Sequence, residues 1–465
     1  MKTCIKKSFV LAVLVAALGS VLTGQVRAQT LTVLHEFTAL DTNNVNSDGV
    51  NPSAGLVLTG NTLFGTTYDG GISGGGTVFA MNVDGTGFRT LHNFAGNPDG
   101  AGPAASLSLS GNTLFGTTEF GGTSDMGTIF SLKMDGTGYA VLHSFAPLTG
   151  SIWGNPINED GARPQCRLLV SANSIYGVTY SGGKSLGTVF RLNSDGTGFT
   201  TLHRFGSASN DGAYPINGVL LSENFLYGAT SFGGSKMGGT VFKLQTDGTQ
   251  FENLHEFEDG VWPRGELILA GDSLFGATYA TIFTMQTNGG GFTTLANFGV
   301  AENLALSGST LYTAVPDNAS GIVFAIGTDG SAYSEIYRFS AVSNNRPMMG
   351  GPHTNFDGAM PQGGVTVRSN ILYGTTFAGG YYEGGTVFAV TILPHLSVTN
   401  SNDNLILGWP TNYAGIDFRS YAVQATTNLA SGVWTANLPA PLIVNGQNTV
   451  TNPISRTQQF FRLAQ

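Results

Sequence analysis

A chain of 465 residues with 67 glycines and only 11% charged residues is too long for one ordinary domain unless it repeats itself. The glycine has no three-residue period, which excludes collagen, and it punctuates apolar runs, which argues for packed β-structure over disorder. A net charge of −9 sets the surface against nucleic acid and anionic membranes.

The chain opens with Lys2, Lys6 and Lys7, then an apolar run from Phe9 to Leu22, then Val26-Arg27-Ala28. A basic start, a short apolar stretch and a small-x-Ala site are the parts of a secretory leader. The reading is a signal peptide over residues 1–28, cleaved before Gln29, and a secreted or cell-envelope protein. Cys4 lies far from that site, against a lipoprotein. Cys166 is then the one remaining cysteine, and an internal disulfide is impossible. No later run approaches the ~20 apolar residues of a membrane span.

Leu31–Phe37 reads as a lone strand. The stretch Gly55–Phe94 that follows is the unit of the chain. Strands are expected at Leu56–Thr59, Thr62–Tyr68, Thr77–Val83 and Phe88–Phe94. A Gly60-Asn61 turn joins the first pair, a Gly-rich loop the second and an Asp84-Gly85 turn the third. The second-strand motif, LFGTT in this unit, begins at Leu63, Leu114, Ile175, Leu226, Leu274, Leu311 and Leu372. The third strand, GTVF or a variant, begins at Gly76, Gly127, Gly187, Gly239, Ala280, Gly321 and Gly385. The fourth, LHxF or a variant, falls at Val33, Thr90, Val141, Thr201, Asn253, Thr294 and Glu335. The fourth strand is thus out of phase: it appears once before any first strand and is missing after the last GTVF. That offset predicts an all-β fold, a seven-bladed β-propeller over residues 29–393, in which Leu31–Phe37 pairs with Gly385–Ile392 and closes the ring. Units five and six are shorter, and Thr313-Ala314-Val315-Pro316, Ala296 and Tyr337 depart from the motifs. Those two blades are expected to be less regular.

This order of motifs resembles the GloVer tandem repeat of exported bacterial proteins, whose signature runs LYGTT-x-x-GG, GTVF, DGTG, LHxF. The resemblance spans about Leu31 to Ile392. It implies an exported repeat protein with a variable C-terminal sorting or adhesion module, and it implies no particular chemistry. Beyond Pro394 the texture changes. Residues 394–465 read as short strands with Pro and Asn turns, a small β-sandwich resembling a fibronectin type III module, with Trp409 and Trp434 in its core.

His35, His92, His143, His203 and His255 occupy one repeat position on different sheets. They cannot converge on one ion, so each is expected to hydrogen-bond a nearby turn. Asp84, Asp135, Asp195, Asp247 and Asp329 belong to hairpin turns, too few oxygens apiece for calcium. No metal and no cofactor is expected. There is no G-x-S-x-G elbow and no H-E-x-x-H.

The loops between fourth and first strands carry Asp-Gly-x-x-Pro or a close variant: Asp48, Asp99, Asp160, Asp211, Asp259 and Asp357, with Pro52, Pro103, Pro164, Pro215, Pro263 and Pro361. Two readings stand: an Asx-type turn, or carboxylates ringing the mouth of the central channel. Two of these loops are long. Ala146–Gln165 carries Trp153, Glu159, Asp160 and Arg163, and Ala341–Gln362 carries Arg346, Met348, Met349, His353, Phe356 and Asp357. The expected ligand face therefore holds Trp153, Asp160, Arg163, Tyr214, Trp262, Arg264, His353 and Asp357, a mixture suited to a glycan or a peptide. The reading is a non-catalytic, monomeric binding propeller without nucleic-acid partners. The alternatives are a structural envelope component and a glycan-active enzyme using paired loop carboxylates.

Overall fold

The computed structural model describes residues 29–150, 157–297, 303–317, 320–342, 355–401, 404–436, 438–453 and 459–464. The expected leader lies outside them. The described chain divides into two compact units, Leu31–Val390 and a second made chiefly of Thr391–Gln465. No helix is long and apolar enough to cross a membrane among the described residues.

In the first repeat, Val57–Thr59, Thr62–Thr67, Thr77–Asn82 and Arg89–Asn93 form an antiparallel sheet in chain order. The second and third strands are buried almost throughout. They are covered on both faces, which is why LFGTT and TVFAM read as continuous apolar runs and not as an alternation. The fourth strand bulges: Val78 faces His92 and Phe79 faces Thr90, leaving Leu91 over. The same shift recurs at Ile129/Phe130, Val189/Phe190, Val241/Phe242, Ile282/Phe283 and Val323/Phe324.

Seven sheets follow one another among the described residues of this unit, six of them four-stranded, while that of the fourth repeat gains Gly212–Ala213 and Phe232–Gly233. The expectation of irregular fifth and sixth repeats is not met in their topology. Both have four strands in the same order, and the sixth has two of the longer strands, Thr310–Asp317 and Ser320–Gly327. In the last sheet, Val365–Arg368, Ile371–Thr376 and Thr386–Thr391 are joined by Thr30–Glu36 as fourth strand. Phe37 N donates to Gly385 O at 3.1 Å as that pairing ends.

The core lies between sheets. Phe64, Val78 and Phe94 of the first sheet pack with Leu107, Leu114, Phe130 and Leu132 of the second. Phe37, Tyr373 and Val387 of the last pack with Leu56, Leu63, Phe79 and Met81 of the first. Burying each of these large side chains contributes roughly 1.5–3 kcal/mol. Hydroxyls tie the same seams: Thr66 Oγ1 donates to Ala105 O, Thr117 Oγ1 to Cys166 O and Thr375 Oγ1 to Ala54 O. Cys166 is itself fully buried, and burial pushes its thiol up to about 12.

The repeated His has two partners. Its ring stacks on the aromatic residue of the next sheet's DGTG turn: His35 on Phe88, His92 on Tyr139, His143 on Phe199, His203 on Phe251 and His255 on Phe292, all at 3.7–3.9 Å between centroids. Its Nε2 meets the loop aspartate at 3.0–3.1 Å, in the pairs His35–Asp48, His92–Asp99, His143–Asp160 and His203–Asp211. The same carboxylates accept backbone N–H groups from Thr38, Ala95, Ala146 and Ser207, just beyond the fourth strand. One aspartate thus fixes the strand end and the loop that leaves it. In the sixth repeat Tyr337 takes the place of His and donates its hydroxyl to Asp357 at 2.8 Å. The departure from LHxF there is a chemical replacement.

Among the described residues of the second unit, Ser397–Ser401, Asn404–Pro410, Gln447–Pro453 and Leu442–Val444 form a sheet, and Ala422–Thr426 pairs with Phe460–Ala464. Trp409 is fully buried and donates Nε1 to Phe418 O at 3.2 Å. Trp434, expected in the same core, is only half-buried and lies beneath the Arg462 guanidinium at 4.5 Å.

Two outcomes follow. Gly65 lies opposite Phe79, and a Cβ on it would stand 2.5 Å from the Phe79 ring and 2.9 Å from Leu56. Gly65→Val should therefore cost roughly 1–3 kcal/mol by overpacking, seen as a lower denaturant midpoint. An unchanged midpoint would refute the close approach. For Asp48, burial raises the carboxyl pKa, but hydrogen bonds from His35 and Thr38 outweigh it and hold the group below its ordinary value. A depressed folded pKa gives stability that is complete above the unfolded value, about 3.9, and is lost as pH falls through the lower folded value. Asp48→Asn should be weaker than the parent at pH 7, by roughly 1–3 kcal/mol, and that difference should shrink below about pH 4. Urea titrations from pH 7 to pH 2 would measure it, and a constant difference across that range would contradict the assignment.

Candidate ligand-binding face

The residue before the proline in each Asp-Gly-x-x-Pro loop has an unusual backbone. Asn51, Arg163, Tyr214, Trp262 and Met360 have φ between 43° and 60°, and Gly102 has 65°. Left-handed backbone is uncommon for residues other than glycine, and most so for bulky ones. It persists here because the backbone groups are used, both of them in all of these residues but Trp262, whose carbonyl is bonded. The N–H of Asn51, Gly102, Arg163, Tyr214 and Met360 donates to Gly384, Gly75, Met126, Leu186 and Ser320, at the start of the preceding sheet's third strand. The carbonyls of Asn51, Gly102, Arg163, Tyr214, Trp262 and Met360 accept from Tyr68, Glu119, Tyr180, Ser231, Tyr279 and Phe377, just past the following sheet's second strand. The proline then packs on the preceding sheet: a Cβ on Gly76, Gly127 or Gly187 would meet Pro103, Pro164 or Pro215 within 2.8 Å. Asn51, Gly102, Arg163, Tyr214 and Met360 thus join two sheets by backbone, Trp262 bonds the following sheet alone, and the side chains take no part in these bonds.

Those side chains, with residues at or beside the donors to their carbonyls, form an arc over the third to fifth repeats. Ring centroids run Tyr180–Tyr214 at 5.0 Å, Tyr214–Phe232 at 5.9 Å, Phe232–Trp262 at 5.6 Å and Trp262–Tyr279 at 6.0 Å. Phe232 and Tyr279 are 39% and 45% exposed, high for large aromatic rings. Arg264 lies over Tyr279 at 5.7 Å, and Arg163 lies over Phe120 at 5.3 Å. Beyond Phe120, Tyr68 donates its hydroxyl to the buried Glu119 at 2.8 Å. Burial, and then that carboxylate, push the Tyr68 phenol far up. The indole N–H of Trp262 is buried and has no acceptor among the described residues.

The structure brings together Arg163, Tyr214, Trp262 and Arg264 of the expected site. Trp153 and His353, with Arg346, Met348 and Met349, lie outside the described residues. Asp160 and Asp357 are turned elsewhere, towards His143 and Tyr337, so their carboxylates serve the loop clamp. A turn device describes the loops of Asp48, Asp99, Asp160, Asp211 and Asp357, while Asp259 is exposed and lies outside that pattern. Among the described residues no three His, Cys, Asp or Glu side chains gather as a metal site.

Sequence reasoning missed Tyr180, Phe232, Tyr279, Phe120 and Tyr68. Their signal is the pair of positions after the GTT-type motif, read as part of a strand end. It also missed Asn46, Asn158 and Asn355, in NSDG, NEDG and NFDG. Each side-chain carbonyl accepts from the loop's own Gly49, Gly161 or Gly358 and from Gly71, Gly183 or Gly380 of the Gly-rich loop, at 2.8–3.0 Å. The two loop families of this face are thereby locked to each other.

Solved structures similar to the chain include an enzyme, the GH74 of Niastella koreensis (12% identity, 90% of this chain and 72% of that one, TM-score 0.48). Another is the extracellular domain of the putative hybrid two-component system BT3049 of B. thetaiotaomicron (10%, 79% and 46%, TM-score 0.48). A third is the oligogalacturonate lyase of Vibrio parahaemolyticus (8%, 78% and 97%, TM-score 0.47). No curated protein matches the chain. Residues 16–157 and 154–316 match the Gloeobacter/Verrucomicrobia repeat, and the chain, with its recurring LFGTT, GTVF and LHxF strands, belongs to that family.

Proposed function

We propose that the protein is an exported, carbohydrate-binding β-propeller. In this reading the seven sheets are blades of one closed ring, Thr30–Glu36 completes the last blade, and residues 394–465 form an appended small β-sandwich. The basic, apolar and small-residue pattern of residues 1–28 supports export. The packing of Phe37, Tyr373 and Val387 on Leu56 and Leu63 supports closure.

The observation that carries the binding function is the arc Tyr180, Tyr214, Phe232, Trp262 and Tyr279 on an interlocked backbone. Sugar rings present C–H faces that stack on aromatic faces and hydroxyls that seek donors and acceptors. Peptides that bind by strand addition need a free sheet edge. Here the loop backbone is occupied by the bridging bonds, so recognition falls to the ring faces. Arg163, Tyr214, Trp262 and Arg264 are assigned to the ligand.

Screening the purified protein on a glycan array, followed by calorimetry, tests this. Tyr214→Ala and Trp262→Ala should each weaken binding by upwards of about 2 kcal/mol, while Asp84→Ala, on a hairpin turn, should bind like the parent. Failure of the hairpin variant alone would place function on the other face. Closure has its own test. Removing residues 30–37 leaves Thr386–Thr391 as an open edge, and aggregation or a large fall in melting temperature is expected. A monomeric variant that melts like the parent would refute the ring.

A further inference from the structure

The aromatic arc is bounded by positive charge in a chain whose net charge is −9. Arg163 holds a bridging position, so its backbone is fixed by Met126 and Tyr180 while its side chain is exposed. Its guanidinium rests on Phe120 and makes no ion pair among the described residues. Arg264 follows Pro263 and rests on Tyr279, at the far end of the same arc. At the first ring of the arc, burial and Tyr214 raise the pKa of the Tyr180 phenol, Glu119 adds to that, and Arg163 and then Arg264 act against it. The nearest acid of the arc, Glu119, is buried and engaged by Tyr68.

From the two arginines on either side of a solvent-facing aromatic run, we infer that the ligand is an acidic glycan, a chain containing uronic acid residues. This rests on the carbohydrate reading above. Guanidinium pairs with carboxylate through parallel N–H···O bonds, and the planar fork is already oriented by the ring beneath it. The rings hold the sugar faces, and the arginines select the carboxylates. On an acidic protein such a ligand would otherwise be repelled, so the arc gives local attraction where the whole molecule gives none.

The test uses the whole mature chain and defined probes: oligomers of galacturonic, glucuronic and mannuronic acid, each beside its carboxyl-reduced neutral counterpart. At least one acid oligomer is expected to bind 10-fold or more tighter than its neutral form, with affinity falling as salt rises. R163Q should narrow that ratio to 3-fold or less without changing the melting temperature, and R163K should keep part of it. R264Q reads the second arginine in the same way. Equal binding of acid and neutral forms overturns the acidic ligand and leaves a carbohydrate site standing. An acid preference that survives the R163Q/R264Q double variant overturns the role of the arginines. Absence of binding to every acid and neutral oligomer, and to the array, overturns both the acidic ligand and the carbohydrate reading.

Discussion

The structure depends on a joint made by single residues. At Asn51, Gly102, Arg163, Tyr214 and Met360, a left-handed backbone sends N–H to one sheet and C=O to the next. A backbone held in a sparsely populated region costs on the order of 1–3 kcal/mol and persists only where its surroundings over-determine it. Two hydrogen bonds, a following proline seated on a glycine and an aspartate clamp at the head of the loop supply that determination. Neighbouring sheets are thereby registered by backbone alone, and their apolar faces meet in one arrangement.

Fold and recognition are separated by this joint. The His ring stacked on the next sheet and bonded to the loop aspartate is spent on architecture, as is the Thr67–Thr77 hydroxyl pair at 2.9 Å beneath Gly49. The side chain at the bridging position is not spent. Its identities, Asn, Gly, Arg, Tyr, Trp and Met, share no chemistry, and the backbone geometry is the same for all. A surface of this kind changes what it recognises by substitution at a few points, with the supporting shell already rigid.

Much of the architecture was legible in the sequence because it is periodic. The four-strand unit, its sevenfold recurrence and the displaced strand at Val33 are all countable in the chain. The chemistry between repeats was less legible. His92 stacks on Tyr139 and Tyr68 meets Glu119, partners dozens of residues apart, and nothing in either motif names the other. Asp160 and Asp357 looked available for ligand because a motif shows which groups exist and not where they point. Tyr337 looked like decay, yet a phenol reaches the same carboxylate as an imidazole. Trp434 looked like core because of its size, and the Arg462 guanidinium covers its ring face instead.

The pairing of Thr30–Glu36 with Thr386–Thr391 has a temporal side. Every other sheet can form from neighbouring strands as soon as they are made. The last sheet joins a strand that begins at Thr30 to one that begins at Thr386, and at ~5–20 residues per second the second follows the first by on the order of tens of seconds. During that time Thr-Leu-Thr-Val-Leu-His-Glu is an unpaired strand of high β-propensity, open to pairing with whatever edge it meets. The chain therefore has a long interval in which local folding is nearly complete while this pairing and the seam between the last and first sheets are still to form. Folding helpers that bind extended apolar segments would matter most there, at the N-terminal strand and not at the repeats.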